Sequence, residues 1–422
     1  MNRKYLGVFL LTAILILGLG AIAYAQDQIV LKYMTWASGE AATWIREDFI
    51  EPFEAKNPHI KIEYEAVPFG EFWRKLMTMY AAGNPPDLMH MSVGYIYDYA
   101  DRGLLLNLQP YFERDLDPEL YYAEPMKAVR YPSMETGDLY AMPFAFVMTS
   151  LYYNKDMFDE AGLAYPTNDW TWDDVLVAAK ALTKDVDGDG NIDQWGFFFE
   201  PTYEVIDPMI YAWGGRVLSD DLSTAKLDSD EAEAAVQFLV DMMWKHEVAP
   251  TPQIYTGLGN LFETGRAAMT ISGIWNLDLY RKIEGFSWDV VVHPAGPARR
   301  VVRMWPDSFG ISATTKYPDE AWEYVKHVIN YGKVDRYSGQ RKVPIYKPLA
   351  ESDEWLERDK SPDKAAYIAS MEFGHPLDFR PNWGEWSAAR EAELERAFLG
   401  EIPVREALRN ANEAVQGVLD DF

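Results

Sequence analysis

The stretch IKIEYEAVPFGEFWRKLMTMYAAGNPPDLMHM, Ile60 to Met91, decides the fold. In IKIEYEA, Ile60, Ile62, Tyr64 and Ala66 alternate with polar residues, the period of a strand with one buried face. Phe69 to Ala82 reads as a helix. Pro85-Pro86 ends it, because proline has no N–H for the helical ladder and forces the residue before it toward extended backbone. The apolar DLMHM that follows reads as another strand. Upstream, IVLKY (Ile29 to Tyr33) reads as a buried strand, TWASGE as a turn, and Ala41 to Lys56 as a helix. Strand, helix, strand, helix, strand in that order predicts an α/β chain with a parallel sheet and crossover helices. Ligands of such sheets sit at the carboxyl ends of the strands. The turns Trp36 to Glu40 and Ser92 to Tyr95 are therefore expected at one rim.

The second half repeats the theme without repeating the sequence. LYAMPFAFVMTSLYYNKDMF (Leu139 to Phe158) is apolar on both sides of Pro143 with no helical period, as suits extended chain passing between domains. Thr171-Trp172-Asp173-Asp174 has the form of a capping box, with Val175, Ala179 and Leu182 on the buried face of the helix it starts. Asp228 and Glu231 are expected to start a helix with Ala232, Val236, Leu239 and Met243 inward. Pro318-Asp319-Glu320 opens a third, burying Trp322, Val325 and Ile329.

Composition narrows the setting. Arg3 and Lys4 precede an apolar run from Leu6 to Ile22 and the small-residue site Ala23-Tyr24-Ala25, the pattern of a secretory signal peptide cleaved after Ala25. The chain has no cysteine, so neither a disulfide framework nor a lipid-bearing cysteine is expected, and a periplasmic or secreted protein follows. The formal net charge is −27; without the leader, 66 acidic face 37 basic residues, a net −29 that disfavours nucleic acid and anionic lipid as partners. A mature chain of about 400 residues exceeds what one core usually covers, so two domains are expected. The 15 Trp, 26 Tyr and 20 Phe are more aromatics than cores require, which points to cleft-facing rings.

Four segments in this order resemble the extracellular solute-binding proteins of ABC importers, in the sugar-binding family that includes maltose-binding protein. They are AGNPPDLM (Ala82 to Met89), LYYNKDMFDEAGL (Leu151 to Leu163) followed by TWDDVLVAAKALT, FETGRAAMTISGIW (Phe262 to Trp275), and KYPDEAWEYVKHVI. The resemblance implies two α/β lobes around a ligand cleft, closing on a sugar that the protein, as a monomer, delivers to a membrane permease. It implies three chain crossings, here near Pro143, His293 and Val343. The lobes are then 26–143 with 294–342, and 144–293 with 343–422. Many relatives carry a glycine-rich segment before the strand that here reads MWPDSFGIS, so Met304, Trp305 and Asp307 are expected to enter the cleft and narrow it.

A sugar ring offers an apolar C–H face and an edge of hydroxyls, so its site combines flat aromatics with directional polar groups. Trp275, just after TISG, and Trp36, with Ser38 and Glu40 nearby, are the leading aromatic candidates. Trp213 before Gly214-Gly215, and Trp383 and Trp386 in RPNWGEW, follow, then Tyr203, Tyr95, Phe144, Ser92 and Trp305. For each ring a place in the core is the alternative. Glu40 and Asp307 could accept pairs of hydroxyls, or be solvated surface acids. The basic run ARRVVR (Ala298 to Arg303) suits either an anionic ligand or a solvated strand edge. A secreted glycoside hydrolase is the alternative, but nothing in the sequence selects the two facing carboxylates it needs. There is no metalloprotease helix, nucleophile elbow or phosphate loop.

DVDGDGNIDQWG (Asp185 to Gly196) resembles a calcium loop, with Asp185, Asp187, Asp189 and Asp193 at positions 1, 3, 5 and 9, Gly190 at 6 and the Asn191 carbonyl at 7. Position 12, normally Glu, is Gly196, so the last oxygens would come from Gln194, water or a bidentate Asp193. A structural calcium ion is the expectation; a solvated turn is the alternative. A calcium-dependent interaction module normally needs paired loops, and the chain has one.

Overall fold

A computed structural model describes residues 28–37, 39–330, 342–357, 363–375, 378 and 382–421. The expected leader with its cleavage site, and Ser38, lie outside them. Strands β1 (Ile29–Trp36), β2 (Ile60–Val67) and β3 (Leu88–Ser92) are joined by helical segments over 40–56 and Phe69–Ala81. β1 lies between the other two and is parallel to both, in register Ile29 to Ile60 and Tyr33 to Leu88. Along β2, Ile60 and Ile62 are buried and Lys61 and Glu63 exposed, as the alternation requires. Ile45, Phe49, Phe53, Phe72 and Leu76 of the crossover helices close over the sheet. At roughly 1.5–3 kcal/mol for each fully buried large side chain, this face anchors the first lobe.

A hairpin of β4 (Arg130–Tyr131) and β5 (Asp138–Leu139) leads into β6 (Met142–Asn154). β6 is buried at every position, which is why its sequence is an apolar run with no alternation. It is followed by β7 (Met269–Gly273), β8 (Trp288–Val291), β9 (Val302–Ile311), β10 (Val343–Pro344) and β11 (Gly374–His375). The sheet order is β10-β6-β9-β3-β1-β2, with β11 against β9 and β7 and β8 against β6. From Met142 to Met148, β6 runs antiparallel to β9; from Thr149 onward its partners are β7 and β8. β9 meets β11 at Val302 and Arg303, and β3 from Asp307 onward.

Each of these two long strands thus crosses from one set of sheet partners to another, β6 five residues beyond Pro143 and β9 between Arg303 and Asp307. Pro143 lies at a bulge, where two β6 residues oppose one of β9, a position that tolerates its missing N–H. His293 is fully buried, edge-on to Trp172 at 5.5 Å.

The second lobe is closed by helices Trp172–Leu182, Tyr203–Ala212, Asp230–Trp244, Trp383–Phe398 and Val404–Asp420. The Thr171 capping box forms in both directions, the Asp174 carboxylate accepting from the Thr171 N–H at 2.8 Å. The cap of the Asp230–Trp244 helix is Ser229 rather than Asp228, its hydroxyl accepting from the Ala232 N–H at 3.1 Å. Among the described residues no helix is long and apolar enough to cross a membrane.

One charged contact ties two of these helices together. Arg390 Nη1 donates to both carboxylate oxygens of Asp207, at 2.9 and 3.0 Å, with both side chains almost wholly buried. Burial pushes the Asp207 carboxyl above its ordinary range against the pull of Arg390 and Arg303. Removing one partner of such a pair strands the other charge in the core. Arg390→Met should therefore cost about 3–5 kcal/mol of stability, with the double variant Arg390→Met, Asp207→Leu recovering part of it. A chemical-denaturation midpoint unmoved by the single substitution would refute this.

Candidate ligand-binding site

The carboxyl ends of β1 and β3, the crossing strands and the start of the Tyr203 helix converge on a cavity of about 420 Å³. From the first lobe come Trp36, Ala37 and Ala41, Phe69 after β2, and Ser92 at the end of β3. The second lobe contributes Tyr203, Glu204 and Trp275. Val147, Trp305 and Asp307 rise from the crossing strands, and Lys342 leads into β10. A second cavity of about 300 Å³ continues behind Trp275, sharing that ring and Glu204, and is walled by polar groups including Thr149, Glu200, Asn260 and Asn276.

The rings are held by one another. Trp36 meets Phe72 edge-on at 5.2 Å and Phe69 edge-on at 5.7 Å. Trp275 and Trp305 tilt together at 5.2 Å. The Trp275 indole folds back over Gly273, where an added Cβ would lie 2.1 Å from the ring. The glycine is needed because the tryptophan, rather than a ligand, occupies the space above it.

The strand period explains the row on β9. Arg303, Trp305 and Asp307 are two residues apart and share one face, whereas Met304 falls on the other. The expectation that Met304 enters the cleft is corrected: its methyl end packs at Gly374. Asp307 forms an ion pair with Lys342 at 2.6 Å, both side chains nearly buried. Lys342 also lies 4.9 Å from the centre of the Phe144 ring. Arg303 sits 3.4 Å from the centre of the Trp305 ring and 4.1 Å from that of Tyr203, with its Nη1 3.1 Å from Glu204. Beneath this floor His90 is enclosed by the hydroxyls of Tyr33 and Thr35. Its burial, with the nearby charge of Lys342, pushes the imidazole well below its usual range.

Six of the residues singled out from the sequence line this cavity: Trp36, Ser92, Tyr203, Trp275, Trp305 and Asp307. Tyr95 stacks on Trp73 at 3.6 Å just outside it. Trp383 is wedged between Tyr95 and Tyr203, at 6.1 and 5.2 Å, with its ring over Gly94 of the first lobe. Phe144 is buried against His90 and Phe309, supporting the floor. Glu40 is exposed at the start of its helix and is not part of the wall, although its neighbour Ala41 is. Two more lie outside both cavities. Trp386 is buried in its helix with Arg390 over the ring, and Trp213 packs on Phe238 at 5.3 Å. Sequence reasoning missed Phe69, Glu204 and Lys342. Phe69, more than half exposed beside Trp36, carries the ordinary mark of a binding aromatic.

Of the six groups proposed for the cation loop, Asp185, Asp187 and Asp193 bring carboxylate oxygens within 4.8 Å of one another. The Asp189 carboxylate instead accepts from the Asn191 amide group and N–H, which hold it below the usual carboxylate range. This also uses the Asn191 side chain. Gln194 donates to the Leu182 carbonyl at 2.6 Å. A Cβ on Gly196 would lie 2.0 Å from the Ala179 carbonyl oxygen, so the position of the missing Glu has no room for any side chain.

Residues 36–332 match the family described as bacterial extracellular solute-binding protein, well over half of the chain. The chain belongs to that family. Among solved structures, this solute-binding protein is similar to an ABC substrate-binding protein of Listeria monocytogenes in complex with cycloalternan. The TM-score is 0.82 with 26% identity, over 93% of this chain and 100% of that one. It also resembles the sugar-binding protein of the phytopathogen Xanthomonas citri, with TM-score 0.78, 20% identity, and 93% and 98% coverage. The galactooligosaccharide-binding protein of Bacillus subtilis is 24% identical over 434 residues, 98% of this chain and 97% of the relative. The fold is accordingly the two-lobed one of periplasmic binding proteins, with the cavity at the junction of the lobes.

Proposed function

We propose that the chain captures a sugar or oligosaccharide between its lobes and hands it to the membrane permease of an ABC importer. The observation that carries this reading is the cavity itself. Rings from both lobes surround it, and two carboxylates already oriented by cations offer acceptors for hydroxyls. Relatives bearing the names galactooligosaccharide-binding and maltotriose-binding protein support it. In this reading the chain works as an exported monomer, its leader removed after Ala25. It is not an enzyme: Glu204 and Asp307 each face a cation, whereas the proton donor of a glycosidase sits in an apolar or like-charged setting. A ligand touching both lobes favours their closed arrangement by its differential affinity, with β6 and β9 as the hinge.

A panel of maltose, maltotriose, mannobiose, mannotriose, galactobiose and tagatose tests this by thermal shift. A true ligand at about 100 times its dissociation constant adds roughly 2.7 kcal/mol, should lower the radius of gyration in solution scattering, and should be recovered uncleaved. Cleavage by pure protein would support the hydrolase, and silence across the panel would count against sugar capture. Within that reading Trp275 stacks a ring face worth roughly 1–3 kcal/mol, by analogy with bases on aromatics. Trp275→Ala should weaken binding about tenfold or more in titration calorimetry; unchanged affinity with a depressed melting temperature would return the ring to a purely structural role.

We also propose a structural calcium ion held by Asp185, Asp187 and Asp193. Three like charges that close repel one another, and a divalent cation relieves this and stabilises the folded loop. Chelator should lower the melting temperature, and calcium should restore it better than magnesium, whose octahedral shell is stricter. Asp187→Ala should abolish the response, whereas Asp189→Ala should keep it. A parent protein indifferent to both chelator and calcium would leave the loop as a solvated turn. Sugar affinity should barely change, because the loop lines neither cavity.

A further inference from the structure

The cleft contains charge, and its arrangement distinguishes between kinds of sugar. Among the described residues the wall holds two anions, Glu204 and Asp307, and one cation, Lys342. Arg303 lies buried behind Trp305 and Tyr203. Each cation is matched to one of the anions, Arg303 to Glu204 and Lys342 to Asp307. The remaining basic residues of ARRVVR are directed elsewhere. Arg299 Nε donates to the Tyr211 carbonyl at 2.9 Å, and Arg300 Nη2 donates to that of Trp170 at 3.2 Å.

We infer that this pairing makes the cleft selective for neutral sugars over uronates and sugar phosphates, with the β9 row Arg303-Trp305-Asp307 and its partners Glu204 and Lys342 as the specificity-determining set. The inference rests on the sugar reading above and deepens it. A neutral ring lies on the indole and turns its hydroxyls to carboxylates that can only accept. An acidic ring brings a third anion to the cavity, where each cation among the described residues already has a partner. Its carboxylate would lose water without gaining a counter-charge. Glu204 is partly exposed and lines the cavity, whereas its partner Arg303 is buried and does not, so the carboxylate offsets the positive charge that would otherwise attract an acid. Asp207 lies close enough to feel Arg303, but is bound to Arg390.

The test compares the tightest neutral binder of the panel with its C6-carboxylate form by titration calorimetry at fixed, low ionic strength. The parent should bind the acid at least about tenfold more weakly, since like charges juxtaposed in a binding site are strongly unfavourable. Glu204→Gln leaves Arg303 uncompensated, and Asp307→Asn does the same for Lys342. In each, affinity for the acid relative to the neutral sugar should rise, whatever happens to the neutral affinity alone. Equal or tighter binding of the acid by the parent overturns the inference, as does an unchanged ratio in both variants. If the acid alone binds, sugar capture stands and neutrality falls. If nothing in either series binds, sugar capture itself falls. Should one variant fail to fold, the parent ratio and the other variant still decide.

Discussion

The antiparallel contact between β6 and β9 is the constraint on which the rest of the molecule depends. Along it Ala145 faces Asp307 and Val147 faces Trp305, so cleft residues and the lobe junction share one set of backbone hydrogen bonds. Because both strands are buried throughout, neither can drift from its neighbours without exposing apolar surface and unpaired backbone groups. The cleft floor is thus part of the core rather than a layer laid over it. The parallel first-lobe strands deliver Trp36 and Ser92 to the same place, because β3 is hydrogen-bonded to β9 with Ser92 opposite Asp307.

Polar groups in this floor are costly and are arranged accordingly. A buried ion pair contributes little net stability, but losing one partner is expensive. The two pairs flanking Trp305 therefore fix the geometry of their side chains more than they hold the fold together. The guanidinium between Trp305 and Tyr203 does something similar for two rings at once, since cation–π contact strengthens when water is excluded.

Much of this was legible in the sequence, for identifiable reasons. A two-residue period at Ile60 to Ala66 and paired prolines at 85 and 86 are local signals, and the parallel sheet follows from their order. Trp36 and Ser92 follow from the rule that ligands gather at strand ends. Trp305 and Asp307 were visible as a bulky ring and a carboxylate in a strand expected to border the cleft. Trp386 was misjudged because Pro381 and Gly384 beside it argued against a helical core position. The helix begins at Trp383, which puts Trp386 one turn in, on the same face as Arg390. Lys342 carried no local signal; only the tertiary pairing of β10 with β6 brings it to Asp307.

Gly196 sets a limit on what the acidic loop can become. Its Cα lies against the backbone of the Trp172–Leu182 helix, so the twelfth position cannot gain a carboxylate by substitution without displacing that helix from the second-lobe core. Loops that respond to cellular calcium transients draw much of their affinity from a bidentate Glu at that place. Here the evolutionary route to such a sensor is closed by packing rather than by chemistry.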